Sequence, residues 1–321
     1  MTHILQDADI FVTGGAGTLG RAIARRREKE KWSGKLTVYS SDDHKHDVMR
    51  RMFPDQRINY VQGDIRNAET LYAAMVGHDI VIHAAAVKVI PVSEEWCIDT
   101  IDVNIYGSET VCSVALRAGI KHVLGISTDK ACHPANLYGA TKMAMEKVFQ
   151  EYARMEHDTK FHLVRYGNVL ESTGSVIEAW KNSVARGEPI KITDPNMTRF
   201  WLSPSQAVQY VIDAIDPDGL PGAIYVPKMP ALSIAKLLEL TIVDEAYTTM
   251  SIPIRPGEKM HETLVTIEET KRGWEFEDCF YVRPSTCVYD PVYHLHMQEP
   301  YTSNIARELT TDELKTLLAD G

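Results

Sequence analysis

The chain has 321 residues, of which 44% are hydrophobic, so it is long enough for one large domain or two joined domains with a substantial core. A formal net charge of −10 argues against a general binder of nucleic acid or of membrane surfaces. The cysteines are scattered, odd in number and without a CxxC pair, which indicates neither a metal site nor a disulfide framework and favours a reducing cytoplasm: Cys97, Cys112, Cys132, Cys279 and Cys287.

No targeting or membrane segment is predicted. The first residues have neither a basic start nor a long apolar core, as a signal peptide would. The longest apolar run, residues 80–87, is far shorter than the ~18–20 residues that span a bilayer. We therefore expect a cytoplasmic protein with no membrane or nucleic-acid partner.

A glycine-rich turn follows the first predicted strand, residues 9–13, and precedes a helix predicted over 21–31. Glycine lets the backbone approach a pyrophosphate, and a helix N-terminus offers free N–H groups and a positive dipole end. A pattern of this kind also fits an ordinary turn, but its position between strand and helix predicts a dinucleotide site. The cofactor contacts expected from this turn are Gly14, Gly17, Thr18, Leu19 and Gly20.

The end of the second predicted strand, residues 35–39, bears on the choice between NADP and NAD. NAD sites usually place an acidic residue there on the ribose diol, whereas NADP sites place a cation or a small polar group. Ser40, Ser41 and Lys45 fit a phosphate and Asp42 fits the diol, so we expect NADP with NAD as the alternative. Asp42 is also suited to cap the helix predicted over 44–53.

The third and fourth predicted strands, residues 57–62 and 79–83, also end in residues suited to a cofactor. Asp64 and Ile65 fit contacts to an adenine ring, although Asp64 would equally cap the helix predicted over 67–76. The small residues Ala84, Ala85 and Ala86 allow a flat cofactor to lie close, and Lys88 follows on the substrate side. A long helix is then predicted over 94–119, with the side chain of Asn104 solvated or bonded locally.

A tyrosine and a lysine follow the fifth predicted strand, residues 121–126. Tyr138 and Lys142 are four residues apart on the helix predicted over 138–157, so they share one face. An ammonium group near a phenol favours the phenolate, so Tyr138 is suited to act as a base near neutral pH.

Three polar residues lie just before this helix. Thr128 stands at the C-terminal end of the fifth strand, where open α/β sheets bind ligands. Asp129 and Lys130 add an acid and an amine beside it. The alternative for the last two is a surface ion pair at a strand end.

Strands alternate with helices up to the sixth strand, residues 161–166, which predicts a Rossmann-type doubly wound parallel sheet in an α/β protein. Beyond residue 170 the pattern loosens. We expect an NAD(P)-binding domain over 1–170 and a smaller mixed domain with a C-terminal tail, mainly for substrate, over 171–321, with segments 203–226 packing back onto the first. Further elements are predicted as a polar turn at 172–175, a helix to about 186, a strand at 223–226, and helices from 203, over 232–246 and over 310–318. Residues 190–193 and 197–202 are predicted as segments on the substrate side.

Together these stretches resemble the extended short-chain dehydrogenase/reductase superfamily, and especially the inverting UDP-N-acetylglucosamine 4,6-dehydratases of pseudaminic acid and capsule pathways. The Tyr-x3-Lys pair marks only the superfamily, whereas Thr128-Asp129-Lys130 is more specific, because hexose 4-epimerases usually carry small residues after the Ser or Thr. One departure is Ser41, where the family often has Arg. The resemblance is carried by residues 13–20, 83–88, 127–130, 136–142, 164–169, 197–201, 226–228, 255–262 and 301–304.

The resemblance implies a reaction on a UDP-sugar with a tightly bound cofactor. Tyr138 would take the proton from the sugar 4-hydroxyl as a hydride leaves carbon 4, with Lys142 lowering the pKa of Tyr138 and Thr128 orienting the hydroxyl. Asp129 and Lys130 would serve as acid and base for the elimination of water across carbons 5 and 6, in roles that the sequence leaves open. Hydride return to carbon 6 and reprotonation of carbon 5 from the opposite face would complete an inverting 4,6-dehydration.

The resemblance also implies substrate contacts at Lys88, Arg165, Asn168, Arg199, Arg255 and Glu258. The three arginines suit UDP phosphates or the sugar, and the alternative for each is a structural ion pair. A 4-epimerase or 4-keto reductase of the same superfamily would use Tyr138 and Lys142 but has no need of Asp129 and Lys130. A non-catalytic NAD(P)-sensing regulator would tend to lose the Tyr-Lys pair. A homo-oligomer, dimer or hexamer, is expected from the resemblance alone.

Overall fold

The structure, a computed structural model, describes residues 3–170, 176–216, 219–243, 246–286 and 296–319. The turn predicted at 172–175 and Cys287 lie outside these ranges. The strands are β1 Ile10–Thr13, β2 Leu36–Ser40, β3 Ile58–Gln62, β4 Ile80–His83, β5 His122–Thr128, β6 Lys160–Tyr166, β7 Asn168–Val169, β8 Ile190–Ile192, β9 Thr198–Leu202, β10 Ile224–Pro227, β11 Ala231–Ser233, β12 Thr249–Ser251, β13 Thr263–Val265, β14 Gly273–Glu275, β15 Cys279–Val282 and β16 Tyr301–Thr302.

The α-helices lie mostly between these strands. They are α1 Thr18–Glu30, α2 Asp43–Met52, α3 Ala68–Met75, α4 Ile90–Glu95, α5 Cys97–Ile101, α6 Gly107–Arg117, α7 Leu137–Tyr152, α8 Val176–Ala185, α9 Pro204–Ala214, α10 Ile234–Thr241, α11 Ile267–Thr270 and α12 Thr311–Ala319. A π-helical segment, Asp102–Tyr106, joins α5 to α6, and a 3-10 turn, Asp129–Ala131, follows β5. Among the described residues no helix is both long and apolar enough to cross a bilayer.

Nine strands form the main sheet in the order β14-β15-β10-β6-β5-β4-β1-β2-β3. The seven strands from β10 to β3 are parallel to their neighbours, and β15 and β14 extend the sheet in antiparallel fashion. The doubly wound parallel sheet is therefore confirmed. The chain order reverses between β1 and β4, and the crevice at the carboxyl ends of these strands is where such sheets bind ligands.

The segment after residue 203 returns to the main sheet. Ser203 caps α9 in a capping box with Gln206, and Pro204 occupies the first turn, so the helix predicted from 203 is confirmed. Helix α9 packs on α1, and β10 pairs with β6. A second cluster of buried side chains, which includes Trp180, Trp201 and Leu237, lies among the small sheets β11-β9-β7 and β12-β8.

The prediction of one helix over 94–119 is wrong in where the helix starts and in treating it as unbroken. It begins at Ile90, is interrupted at Trp96 and passes through the π-helical segment before α6. A π segment changes the direction in which its side chains point. Asn104 consequently points inward, is only 1% exposed and bonds the backbone of Val87 and the hydroxyl of Thr141, so the expected solvation is wrong.

Two other predicted helices are too long. The helix expected over 138–157 ends at Tyr152, whose carbonyl oxygen contacts the ring of His157 at 2.8 Å and accepts from the backbone N–H of Met155 at 3.1 Å in a tighter turn. The helix expected over 232–246 starts at Ile234, because β11 occupies the preceding residues and Ser233 caps the helix.

Candidate active site

The turn after β5 and the start of α7 form the centre of the site. Asn136 caps α7 by accepting a hydrogen bond from the backbone N–H of Gly139 at 2.8 Å. A Cβ at Gly139 would lie 2.2 Å from the carbonyl oxygen of Lys130, so only glycine lets the helix approach the turn this closely. This approach brings Tyr138, in the first turn of α7, into electrostatic contact with Asp129 and Lys130.

Asp129 and Lys130 form a pair in which the carboxylate is buried and the ammonium is partly exposed, so it is not the alternative surface pair. Asp129 is fully buried, and its Oδ1 accepts hydrogen bonds from Thr128 Oγ1 at 2.8 Å and from Lys130 Nζ at 3.0 Å. Its Oδ2 has no hydrogen-bond partner among the described residues. Lys130 Nζ also donates to Asn168 Oδ1 at 3.2 Å, which places Asn168 in the same cluster. The pair therefore offers one occupied and one open carboxylate oxygen.

The cation that favours the phenolate of Tyr138 is Lys130. Burial raises the pKa of Tyr138, and Asp129 adds to this, whereas Lys130 and a hydrogen bond with Thr128 lower it. The net shift is upward, so the lowered pKa expected from the sequence is wrong for this arrangement. Lys142 is 4% exposed with its Nζ 3.1 Å from Met145 Sδ, and burial lowers the pKa of Lys142 to about 8 against the opposing effect of Glu146.

The glycine turn forms a close-packed cradle against the end of β4. Gly14 has φ +64°, and a Cβ there would lie 2.7 Å from the backbone of Ala85. A Cβ at Gly20 would lie 1.8 Å from the carbonyl oxygen of Gly15, so this glycine serves the packing of α1. Gly17 precedes α1 without a side-chain cap, which leaves the first N–H groups of the helix available to an anion. The cradle therefore fits the pyrophosphate of a dinucleotide.

The residues after β2 have partners of their own. Asp42 caps α2 by accepting from the backbone N–H of Lys45 at 3.0 Å, and its other oxygen lies 2.7 Å from Lys45 Nζ. The capping alternative is thus confirmed for Asp42, and these bonds lower its pKa. Ser40 Oγ accepts from the backbone N–H of Asp42 at 3.3 Å, and Ser41 is exposed beside it.

The residues after β3 contradict one of the two alternatives for Asp64, the helix cap. Its carboxylate pairs with Arg66 at 2.6 Å, and the cap of α3 is Asn67, so Asp64 is not the helix cap. Ile65 is 5% exposed and packs against Gly107, where a Cβ would lie 2.6 Å from Ile65 Cδ1.

Arg165 is not placed to contact a nucleotide phosphate. It is 1% exposed, and its guanidinium is shared by Glu146 at 2.7 Å and Glu269 at 2.9 Å. The remaining donor reaches the carbonyl oxygen of Leu264 at 2.7 Å, so all five donors are used. The predicted phosphate contact is wrong for this residue, and the structural ion-pair alternative is right.

The other predicted substrate residues lie on three separate segments. Arg199 is 8% exposed and donates to the carbonyl oxygens of Thr198 and Met260. Arg255 is exposed on a loop where its backbone N–H bonds Glu258 Oε2 at 3.0 Å. Lys88 is exposed, and its pKa is lowered by local desolvation and by its cationic neighbours, Lys45, Arg21 and Lys130. Lys88 and these three neighbours make the surface around Lys88 suited to an anionic ligand.

One residue of the cluster was not singled out from the sequence. Glu262 is 4% exposed and lies 3.9 Å from Lys130 Nζ, although the two are far apart in the chain. The motif at 255–262 contained it, but no local pattern indicated that it faces Lys130. The described residues contain no cluster of side chains that could hold a metal ion.

Comparisons with known proteins show the family to which the chain belongs. Residues 10–284 match a protein family described as polysaccharide biosynthesis protein. A UDP-N-acetylglucosamine 4,6-dehydratase (inverting) of Campylobacter jejuni is 36% identical over 286 residues, 88% of this chain and 84% of that protein. A UDP-glucose 4-epimerase of Rickettsia massiliae is 34% identical over 327 residues, 97% of this chain and 95% of that protein.

Solved structures share the fold. The X-ray structure of Pen from Bacillus thuringiensis superimposes with a TM-score of 0.88 and 30% identity, covering 99% of this chain and 98% of that one. DesIV, a dTDP-glucose 4,6-dehydratase from Streptomyces venezuelae solved with NAD bound, has a TM-score of 0.70 and 20% identity over 78% of this chain and 86% of that one. The second likeness concerns the fold alone.

Proposed function

The chain belongs to the family of polysaccharide biosynthesis proteins, and from this premise we propose that it is a nucleotide-sugar 4,6-dehydratase acting on UDP-N-acetylglucosamine with inversion at carbon 5. The observation that carries this proposal is the pair formed by the buried Asp129 and the partly buried Lys130 beside Tyr138. Dehydration needs a base and an acid in addition to the group that deprotonates the 4-hydroxyl. A 4-epimerase has no use for such a pair.

The first proton transfer is assigned to Tyr138 with Thr128. The phenolate form of Tyr138 accepts the proton of the sugar 4-hydroxyl, and the Lys130 cation and the Thr128 hydroxyl favour that form. A nicotinamide cofactor, when bound, takes up the hydride from carbon 4 and returns it to carbon 6. Gly14, Gly17, Thr18, Leu19, Gly20, Ala84, Ala85 and Ala86 would hold that cofactor at the cradle, with Lys142 on its nicotinamide side.

The elimination is assigned to the Asp129–Lys130 pair. Asp129 Oδ2 is buried without a hydrogen-bond partner among the described residues, so this oxygen is open to accept the proton of carbon 5. Lys130 lies between carboxylates and is held as an ammonium, so it is suited to donate a proton to the departing 6-hydroxyl. Inversion at carbon 5 then needs a proton delivered to the ring face opposite Asp129, which Lys130 would supply after regaining a proton from solvent.

NADP is the proposed cofactor, with NAD as the alternative. Both carboxylate oxygens of Asp42 are engaged by Lys45, which leaves this acid less suited to a ribose diol. We therefore propose that the adjacent Ser40 and Ser41, with Lys45, would bind the 2′-phosphate of NADP. Titration of the protein with each cofactor, followed by tryptophan fluorescence, tests this choice. Tighter binding of NAD would contradict it.

The substrate contacts are proposed on the remaining cations and their neighbours. Lys88, Arg199 and Arg255 are the candidates for the UDP phosphates, and Asn168 and Glu258 for the sugar. Lys88 and the three cations around it, Lys45, Arg21 and Lys130, support an anionic ligand here. Arg165 is left out because its donors are used by two glutamates.

A homo-oligomer is proposed as well. Large apolar side chains are exposed along α4, α5 and the π-helical segment, with Trp96 62%, Ile98 73% and Tyr106 63% exposed. Such a patch is typical of an interface between protein chains. Light scattering after size exclusion tests this, and a monomer whose mass does not change with concentration would contradict it.

A UDP-sugar 4-epimerase is the second candidate, because the Rickettsia massiliae relative with that name covers 97% of this chain. The experiment that separates the two is turnover of UDP-N-acetylglucosamine in heavy water, followed by mass spectrometry and proton NMR. A dehydratase gives a product lighter by one water with deuterium at carbon 5, and the ring couplings report inversion. A product of unchanged mass with the opposite configuration at carbon 4 would overturn the proposal.

A further inference from the structure

Glu262 is a buried carboxylate placed among three cations without a close hydrogen bond to any of them. Its Oε1 lies 3.9 Å from Lys130 Nζ and 3.8 Å from Arg199 Nε, and its Oε2 lies 3.6 Å from Lys259 Nζ. Oε2 has no hydrogen-bond partner among the described residues. Burying a carboxylate is costly unless nearby charge compensates it, so this placement needs an explanation.

The backbone fixes Glu262 in this position. Its N–H donates to Ser303 Oγ at 2.9 Å, and the N–H of Ser303 donates to the carbonyl oxygen of Glu262 at 2.8 Å. Ser303 Oγ in turn donates to the carbonyl oxygen of Thr198 at 3.0 Å. The segment after β16 therefore holds the carboxylate at a set distance from the turn after β5.

The other two cations make their hydrogen bonds elsewhere. Lys259 Nζ donates to the carbonyl oxygen of Cys132 at 2.7 Å, and Arg199 Nη1 donates to that of Thr198 at 2.8 Å. Lys130 differs from both because its partners, Asp129 and Asn168, belong to the candidate site. Of the three cations, Lys130 is thus the one through which the charge of Glu262 reaches Asp129 and Tyr138.

We propose that Glu262 is a positioning residue whose carboxylate holds Lys130 as an ammonium facing Asp129 and Tyr138. The catalytic part of this inference rests on the proposed 4,6-dehydratase function, whereas the coupling of Glu262 to Lys130 does not. Glu262 touches none of the reacting atoms in this scheme and acts through Lys130.

The charges around Lys130 agree with this role. Asp129 faces it from its own turn, Tyr138 from α7, Asn168 from β7 and Glu262 from the segment before β13, and the Lys88 cation opposes them from the loop after β4. Burial alone lowers the pKa of Lys130, but Asp129 and Glu262 outweigh it and raise the pKa to about 12. Without Glu262, one of the two carboxylates that stabilise the ammonium is lost.

The direction of the effect follows from the sign of this shift. The raised pKa of Lys130 keeps this side chain protonated up to high pH. Glu262→Gln should lower that pKa, so Lys130 would lose its proton at a lower pH. The test is the rate at which acetic anhydride acetylates Lys130, measured against pH by mass spectrometry of peptides. The Lys130 side chain is 22% exposed, which gives the reagent access. A fall of one pKa unit raises the acetylation rate at a fixed pH below the pKa about tenfold.

The comparison uses three variants of the full chain. Glu262→Gln removes the negative charge, and Glu262→Asp keeps it on a shorter side chain, farther from Lys130. The control, Glu275→Gln, removes the charge of an exposed carboxylate that lies 2.8 Å from Lys228 Nζ. We expect Lys130 acetylation to rise several-fold in Glu262→Gln, up to about tenfold if the pKa falls by one unit, and to rise by less in Glu262→Asp. It should stay at the wild-type rate in Glu275→Gln. The alkaline limb of the kcat profile should shift to lower pH in Glu262→Gln, with KM changed less than about twofold.

Equal acetylation rates of Lys130 in wild type and Glu262→Gln would overturn the inference. If Glu262→Gln does not fold, as judged by thermal unfolding, equal rates in wild type and Glu262→Asp overturn it instead. The two proposals can also fail separately. If Lys130 acetylation changes in Glu262→Gln but the wild-type protein removes no water from UDP-N-acetylglucosamine, the proposed function is rejected and the coupling of Glu262 to Lys130 stands.

Discussion

Replacing Arg165 by methionine, Arg165→Met, removes a cation that two buried glutamates share. Glu146 and Glu269 lie 2.7 Å and 2.9 Å from its guanidinium, and Arg165 is only 1% exposed. Breaking a buried ion pair by removing one partner typically costs about 3–5 kcal/mol, because the remaining charge is left uncompensated. Since each kcal/mol shifts Tm by about 2–4 °C in chains of ~150–250 residues, we expect Tm to fall on the order of 10 °C.

The pH dependence of stability sharpens this prediction. Burial raises the pKa of Glu269, but Arg165 and the backbone N–H of Thr266 outweigh it and lower the pKa to about 2. A depressed pKa in the folded state stabilises the fold above the ordinary pKa of the group, and that stabilisation is lost as pH falls through about 2. In Arg165→Met, we expect the difference in Tm from wild type to be full at neutral pH and to shrink as pH falls from about 4.5 toward 2.

The matched control is Arg255→Met, which changes an exposed arginine. We expect this variant to keep the wild-type Tm and to raise KM for the nucleotide sugar, because Arg255 remains a proposed phosphate contact. Thermal unfolding followed by circular dichroism and steady-state kinetics measure both effects. If Arg165→Met kept the wild-type Tm and raised only KM, a structural role of Arg165 in the buried ion pair would be refuted. The predicted contact of Arg165 with a phosphate would then be supported instead.

Three other substitutions test the remaining parts of the site. Asp129→Asn should lower kcat for dehydration about 10²–10⁴-fold, since it removes the proposed base; a wild-type rate would contradict that role. Gly20→Ala should abolish cofactor binding measured by fluorescence titration, because its Cβ would lie 1.8 Å from the carbonyl oxygen of Gly15, and unchanged affinity would show that α1 shifts freely. Asn104→Ala should lower the free energy of unfolding by about 1–3 kcal/mol in urea, because it leaves buried backbone groups of Val87 without partners. A change within experimental error would mean that water replaces the lost bonds.

Local patterns in the sequence determined the parallel strands of the main sheet, whereas the antiparallel strands β14 and β15 were not predicted. Strands alternating with helices specify a parallel sheet, because parallel neighbours need a crossover between them. The glycine turn between β1 and α1 was recognised because glycine is the residue that a close approach requires, and a Cβ at Gly14 or Gly20 would meet backbone atoms. Tyr138 and Lys142 share a face because they are one helical turn apart.

Neighbouring residues along the chain were more reliably placed than distant ones. Asp129 and Lys130 are adjacent in sequence, and the structure keeps them paired at 3.0 Å. Their burial, however, depends on how α7 packs on the turn after β5, and the sequence left a surface pair open as the alternative. Local spacing thus identified the chemistry, and packing decided the electrostatic environment in which it acts.

Only the tertiary structure decided which charges meet across long distances in the chain. Arg165 has the residue type of a phosphate ligand, but Glu146 and Glu269 arrive from α7 and α11 and use its donors. Lys130 rather than Lys142 is the cation that favours the phenolate of Tyr138. Glu262 reaches Lys130 because the segment after β16 fixes its backbone. Such encounters carry no local signal, because a hydrogen bond or ion pair depends on distances of a few ångströms that only the completed fold sets.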